Sequence, residues 1–348
     1  MKAITFTGVE SVSYEEIADP KILEEGDAIV KVSACAICGS DLHVFHGRET
    51  GIDVHTAMGH EFSGTIVETG KSVCNFKVGD RVMSPFTTSC GQCFYCLRGL
   101  TCRCVKSQLF GWVENGKGLH GGQAEYVRVP LADQTLMHIP EGLSFETAVL
   151  LGDIIPTGFF SARQAGIKPG DVVAVVGCGP VGLMAILGAF HYGAAQVFAF
   201  DRVGGRLQAA THFGAQPIHS EHIDERELLL QVTEGRGPDV ILEAVGSASS
   251  VKLAFDLVRP GGTVSAVGVC TEKTFPFSPV QAYDKNLTWR SGRCPARAMM
   301  PELLPVVQND EQKFLSIITH RLPLADGPAA YSSFASRSEG MLKVMLRP

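Results

Sequence analysis

Residues 177–182 read Gly-Cys-Gly-Pro-Val-Gly, and what flanks them leaves the chain few ways to fold. The five-residue apolar run Val172–Val176 leads directly into the first glycine, and an apolar helical pattern over 181–192 follows the last. A strand that enters a G-x-G-x-x-G turn and leaves it as a helix is the context in which the pattern points to a dinucleotide. Gly177 permits the tight turn, Gly179 lets the backbone approach a pyrophosphate, and Gly182 lets helix and strand pack closely. Past Pro180 and Val181, the helix N-terminus offers free N–H groups and a positive dipole end to phosphates. The rhythm continues with strands expected at 197–200, 240–244 and 263–267 and helices at 206–213 and 251–257. Alternation of this kind is that of an α/β, doubly wound parallel sheet. The second strand ends in Asp201, 24 residues past Gly177. A carboxylate there accepts the ribose hydroxyls and repels a 2′-phosphate, which favours NAD over NADP. Arg202 and Arg206 lean the other way, since an arginine beside that position accommodates a phosphate.

Before residue 153 the texture differs: short strands expected at 28–33, 64–68 and 80–83 are separated by glycine-rich turns. A length of 348 residues fits about two domains. With 45% hydrophobic and 19% charged residues the chain is not disordered. Its net charge of −6 argues against gripping nucleic acid or an anionic membrane. The apolar stretch 172–190 is broken by Gly177, Gly179, Pro180, Gly182 and Gly188, unlike a membrane span. No secretory leader is legible at the N-terminus, so a cytoplasmic protein with reduced thiols is expected. Eleven cysteines, an odd number, then call for an explanation other than disulfides.

Spacing supplies it. Cys90, Cys93, Cys96 and Cys104 form C-x2-C-x2-C-x7-C, which can fold four thiolates around one tetrahedral zinc. Cys102 offers a rival fourth corner, and an iron–sulfur cluster is a second possible occupant. A site filled by four protein ligands is closed, so it stabilises and does not catalyse. Two further segments carry metal-type residues: Cys38-Gly-Ser40-Asp41-Leu-His43, and Gly59-His60-Glu61. His60-Glu61 is not the metalloprotease helix motif, because Gly64 stands where its second histidine belongs.

CGSDLH, GHE, the four-cysteine loop, KVGDRV at 77–82 and GCGPVG with Asp201, in this order, resemble the zinc-dependent medium-chain alcohol dehydrogenases along nearly the whole chain. The resemblance implies a GroES-like, mostly-β catalytic domain (1–153 and 293–348) and a Rossmann coenzyme domain (154–292). It implies two zincs per chain and hydride transfer between an alcohol and NAD. Cys38 and His60 match two ligands of the catalytic zinc. In the best-known relatives the third is a cysteine; Asp153 stands there here, as in the bacterial secondary-alcohol and formaldehyde branches. Asp41 matches the carboxylate that orients the liganding histidine, and Glu61 a glutamate near the metal. Ser40 and His43 match the proton relay. Thr157, Val181, Val245, Gly246, Val267, Gly268 and Val269 match residues around the nicotinamide and its ribose. Lys343 falls where an arginine meets the pyrophosphate. Phe86 resembles a substrate-pocket aromatic and Trp112 is a second candidate for the pocket lining; for both, ordinary core packing is the alternative reading.

Within the same superfamily, formaldehyde dehydrogenase or dismutase and polyol or threonine dehydrogenase are the alternatives. A zinc-ribbon interaction module and a zinc-free quinone reductase are readings of other kinds, the first opposed by the acidic balance and the second by both metal motifs. The family forms dimers and tetramers, so a homo-oligomer acting on a small-molecule alcohol, aldehyde or ketone is expected.

Overall fold

The computed structural model describes residues 1–219, 225–336 and 340–348. The chain divides into two compact units, Met1–Asp153 with Pro295–Pro348, and Ile154–Cys294. The return expected at residue 293 stands two residues ahead of the observed one.

In the first unit the strand Ala28–Ile37 organises a seven-stranded sheet. It pairs antiparallel with Phe62–Thr69, Tyr126–Val129 and Lys343–Arg347. The strand is buried on both faces at nearly every position, and AIVKVSACAI exposes Lys31 alone. It runs past residue 33, the end expected from the sequence, because Ala34–Ile37 are apolar and carry no turn residue. Val30, Val32, Ile37, Phe62, Ile66, Phe110, Val127 and Leu346 share one core. There Phe62 and Phe110 meet edge to face at 4.9 Å, an arrangement adding ~0.5–1.5 kcal/mol beyond burial.

Pairing register places the chemistry. Cys35 lies opposite Phe62, so the chain leaving one strand passes the chain entering the next, and Cys38 comes beside His60. Val344 lies opposite Ile37, so Lys343 arrives at the same end of the sheet.

In the second unit six strands run parallel in the order Gln216–His219, Gln196–Asp201, Val172–Val176, Val240–Glu243, Thr263–Ala266, Thr288–Ser291. The chain winds outward from Val172–Val176, then returns to its other side at Val240–Glu243. That reversal opens a crevice beyond the carboxyl ends of the two central strands, where open α/β sheets bind ligands. Ala174, Phe198, Ile241, Ala254 and Val264 pack its core. Among the described residues no helix is long and apolar enough to cross a membrane.

Candidate active site and metal centres

One donor atom each from Cys38, His60 and Asp153 lies within 4.8 Å of the others, and all three residues are buried. His60 Nε2 is 3.3 Å from Asp153 Oδ2, and Cys38 Sγ is 3.7 Å from that oxygen. Asp153 reaches the cluster because the helix Phe145–Gly152 ends on a glycine; a Cβ on Gly152 would run into the Ser84 carbonyl oxygen. Burial disfavours charge on His60, but the Asp41 and Asp153 carboxylates outweigh it and hold the imidazole well above its usual range. Two carboxylates and a thiol thus call for positive charge at this point. Thiol sulfur, imidazole nitrogen and carboxylate oxygen are a sound zinc donor set, and three protein ligands leave a position open.

The surroundings orient the donors. Asp41 Oδ1 is 3.1 Å from His60 Nδ1, while Asp41 Oδ2 accepts the Cys38 N–H at 2.9 Å. Held this way, His60 keeps its proton on Nδ1 and turns Nε2 to the cluster. Ser40 precedes the short helix Asp41–Phe45 but does not cap it with its side chain. Its hydroxyl instead lies 3.2 Å from both Cys38 Sγ and His60 Nε2. His43, on that helix, is half-buried, and its Nδ1 has no hydrogen-bond partner among the described residues. Burial pushes its imidazole below the usual value. Phe86 is buried with its ring 6.4 Å from that of His60, edge to face.

One expectation is corrected. Lys343 does not stand free for a pyrophosphate: it is 1% exposed, its ammonium rests on the Glu61 carboxylate, and it donates to the Ile37 carbonyl at 3.1 Å. The register opposite Ile37 carries it under the sheet end. Trp112, partly buried, packs against the core of the first unit and directs its indole N–H to Glu114 at 3.4 Å. Glu61 is fully buried; its second oxygen has no partner among the described residues.

Sequence reasoning missed Gln123. Its Nε2 donates to Asp41 Oδ2 at 3.2 Å and to the Ala36 carbonyl at 3.0 Å, and its Oε1 accepts from the Tyr331 hydroxyl at 2.8 Å. The available signal was the Gly121-Gly122 pair before it, since paired glycines mark close backbone approach. A Cβ on Gly121 would meet the Met58 and Gly59 carbonyls, and one on Gly122 the Phe62 ring.

Sulfurs of Cys90, Cys93, Cys96 and Cys104 also lie within 4.8 Å of one another. Cys104 therefore fills the fourth corner, and Cys102 is buried in the short turn Thr101–Arg103. Backbone N–H groups point at sulfur: Cys90 and Lys106 donate to Cys104 Sγ at 3.2 and 3.3 Å. The N–H groups of Cys96 and Val105 pull the Cys93 thiol down to about 6. A loop that aims donors at thiolates suits a closed metal site.

At the glycine turn, Gly177 has φ +92°, which a side chain rarely adopts, and a Cβ on Gly182 would strike the Gly177 carbonyl oxygen. Gly179 caps the helix Pro180–His191, with Pro180 in its first turn. Asp201 Oδ2 accepts the Cys178 N–H at 2.8 Å and Oδ1 that of Val203 at 3.0 Å, so the carboxylate braces the turn it faces. Arg206 is 3.9 Å from Asp201, and the Arg202 N–H donates to Oδ1 at 2.7 Å. At the next strand end, Glu243 accepts the Val245 and Gly246 N–H groups at 2.8 Å each. A Cβ on Gly246 or Gly268 would collide with the other's loop, and the Val267 N–H donates to the Glu243 carbonyl at 2.9 Å. Val245 and Val269 stand exposed there, while Thr157 and Val181 are half-buried.

A dinucleotide turn on one unit and an open three-donor cluster on the other define a class, the metal-dependent dehydrogenases. Residues 24–141 match the alcohol dehydrogenase GroES-like domain, and residues 180–309 the zinc-binding dehydrogenase family. A zinc-type alcohol dehydrogenase of Aspergillus flavus is 42% identical over 96% of this chain and 78% of its own. A medium chain reductase/dehydrogenase of an Acremonium species is 45% identical over 82% and 98%. The solved structure of an alcohol dehydrogenase from Thermus sp. ATN1 superposes with a TM-score of 0.93 at 38% identity, covering 100% of this chain and 99% of that one. The chain belongs to the zinc-dependent medium-chain dehydrogenase/reductase family.

Proposed function

We propose that this alcohol oxidoreductase transfers hydride between a primary or secondary alcohol and NAD, giving an aldehyde or ketone. The observation that carries the reading is the convergence of Cys38, His60 and Asp153 around one point with the Ser40 hydroxyl beside it. When bound there, zinc supplies Lewis acidity to the substrate oxygen, NAD supplies the hydride acceptor, and a second zinc braces the four-cysteine loop.

The remaining work falls to the protein. Cys38 and Asp153 bring two negative charges, matched to one divalent cation. Asp41 fixes the His60 tautomer. Ser40 Oγ accepts the proton lost by the substrate hydroxyl as its own proton leaves toward His43. A half-buried, neutral imidazole whose Nδ1 has no partner among the described residues suits the far end of that relay. Phe86 walls the site and keeps water from it. Gly177, Gly179, Pro180 and Gly182 cradle the pyrophosphate. Asp201 favours NAD, against the pull of Arg202 and Arg206. Thr157, Val181, Val245, Gly246, Val267, Gly268 and Val269 frame the nicotinamide end. The protein works in the cytoplasm as a homodimer or homotetramer, with no nucleic-acid or membrane partner. The named relatives are alcohol dehydrogenases or broader members of the family, which does not favour formaldehyde, polyol or threonine dehydrogenase.

Initial rates over a panel of alcohols and aldehydes, with NAD and NADP in both redox states and with or without chelator, test this. NAD-linked turnover lost to chelator and restored by zinc is expected. Turnover indifferent to metal, or confined to NADP, overturns the respective part.

A further inference from the structure

We propose that Gln123, locked in one orientation by the Tyr331 hydroxyl, is a positioning residue for His60 and acts through Asp41; the inference rests on the reading of Cys38, His60 and Asp153 as a metal site. Both residues are 0% exposed, so their polar atoms have no recourse to water. Gln123 Oε1 can only accept, hence Tyr331 must donate to it. That fixes the Gln123 NH2 group toward Asp41 Oδ2 and the Ala36 carbonyl, two acceptors. A flipped amide would set oxygen against oxygen at both contacts and leave the phenol facing another donor. Asp41 Oδ2 is thereby held from two sides, by Cys38 N–H and Gln123, which leaves Oδ1 for His60 Nδ1.

Backbone contacts make the glutamine a hub. Its own N–H donates to the Met58 carbonyl at 2.9 Å, two residues from His60, and Gly122 N–H donates to the Gly59 carbonyl at 2.9 Å. One residue therefore ties together the segment bearing Cys38, the segment bearing His60, and the helix Gly327–Ala335 that carries Tyr331. Gly59, at φ +86°, is required beneath it: a Cβ there would lie 2.8 Å from Gln123 Nε2.

Outer partners of a liganding histidine are worth roughly 10–100-fold in metal affinity. The test is cobalt(II) titration of the full chain, because a site with one sulfur and a site with four differ in d–d intensity and are read separately. Gln123→Leu should weaken cobalt binding at the one-sulfur site about 10–100-fold and leave the four-sulfur site unchanged. Tyr331→Phe, which keeps the ring packed, should weaken it in the same direction by less. The double variant should be no weaker than Gln123→Leu, since Tyr331 acts only through Gln123. Unchanged affinity in folded Gln123→Leu and Tyr331→Phe, or additive losses in the double variant, overturns the proposal. Failure of the wild-type chain to bind cobalt at the one-sulfur site overturns the metal-site reading itself.

Discussion

Removing the Lys343 ammonium while keeping its bulk, as Lys343→Met, isolates one buried charge. Lys343 and Glu61 are 1% and 0% exposed, so neither solvent nor salt screens the pair. The substitution strips Glu61 of its counter-charge, and Glu61 already has one oxygen without a partner among the described residues. It also leaves the Ile37 carbonyl without its side-chain donor. Breaking a buried pair from one side costs about 3–5 kcal/mol, because the surviving charge is uncompensated. That is a large fraction of a domain's ~5–15 kcal/mol. At about 2–4 °C per kcal/mol, the first unit should melt roughly 6–20 °C lower. Calorimetry at matched metal content reads the shift. Glu61→Gln combined with Lys343→Met removes both charges and should recover most of the loss, since replacing a whole buried pair by neutral groups is close to neutral. A shift under about 2 °C for Lys343→Met, or a double variant no more stable than the single one, would refute the argument that charge pairing governs this position.

Three further outcomes are expected. Cys104→Ser should lose the metal of the four-cysteine loop and lower the melting temperature, while Cys102→Ser keeps it; metal analysis of the two variants decides. Asp201→Gly should weaken NAD and improve NADP by removing the repulsion of a 2′-phosphate beside Arg202 and Arg206; if the ratio of kcat/KM values stays put, Asp201 does not discriminate. Burial holds His43 below the ordinary value of about 6.5, so it is neutral at pH 7 and takes up a proton as pH falls through that lowered value. Wild-type turnover should therefore fall on the acid side. His43→Gln should lose that acid-side fall, with its deficit against the wild type greatest above the lowered value, where His43 is neutral, and partly rescued by added imidazole; an unchanged pH profile counts against the relay.

Much of this was legible in the residues because the decisive patterns are local. Gly177 and Gly182 answer to backbone constraints within one turn, the first at a positive φ and the second against the Gly177 carbonyl, whereas a Cβ on Gly179 would meet no neighbouring atom. The four cysteines lie within fifteen residues, so spacing alone brought them together, although the choice between Cys102 and Cys104 depended on how the 101–104 turn is wound. Asp153 was reached through resemblance, since nothing in its neighbourhood marks it as a ligand. Lys343 and Gln123 were misjudged or missed for one reason: their partners lie 282 and 82 residues away in the chain. Only the strand register, Val344 opposite Ile37 and Cys35 opposite Phe62, reveals what they touch.

The central claim is that hydride passes from an alcohol carbon to the nicotinamide and that the Cys38–His60–Asp153 cluster is needed for it. Incubating the zinc-loaded protein with an alcohol deuterated at the carbinol carbon and NAD, then weighing the reduced cofactor by mass spectrometry, reads this directly. One deuterium per reduced cofactor in the wild type, and none formed by Asp153→Ala with its four-cysteine metal intact, is the predicted result. Reduced cofactor without deuterium, or labelled cofactor made equally well by Asp153→Ala, would contradict it.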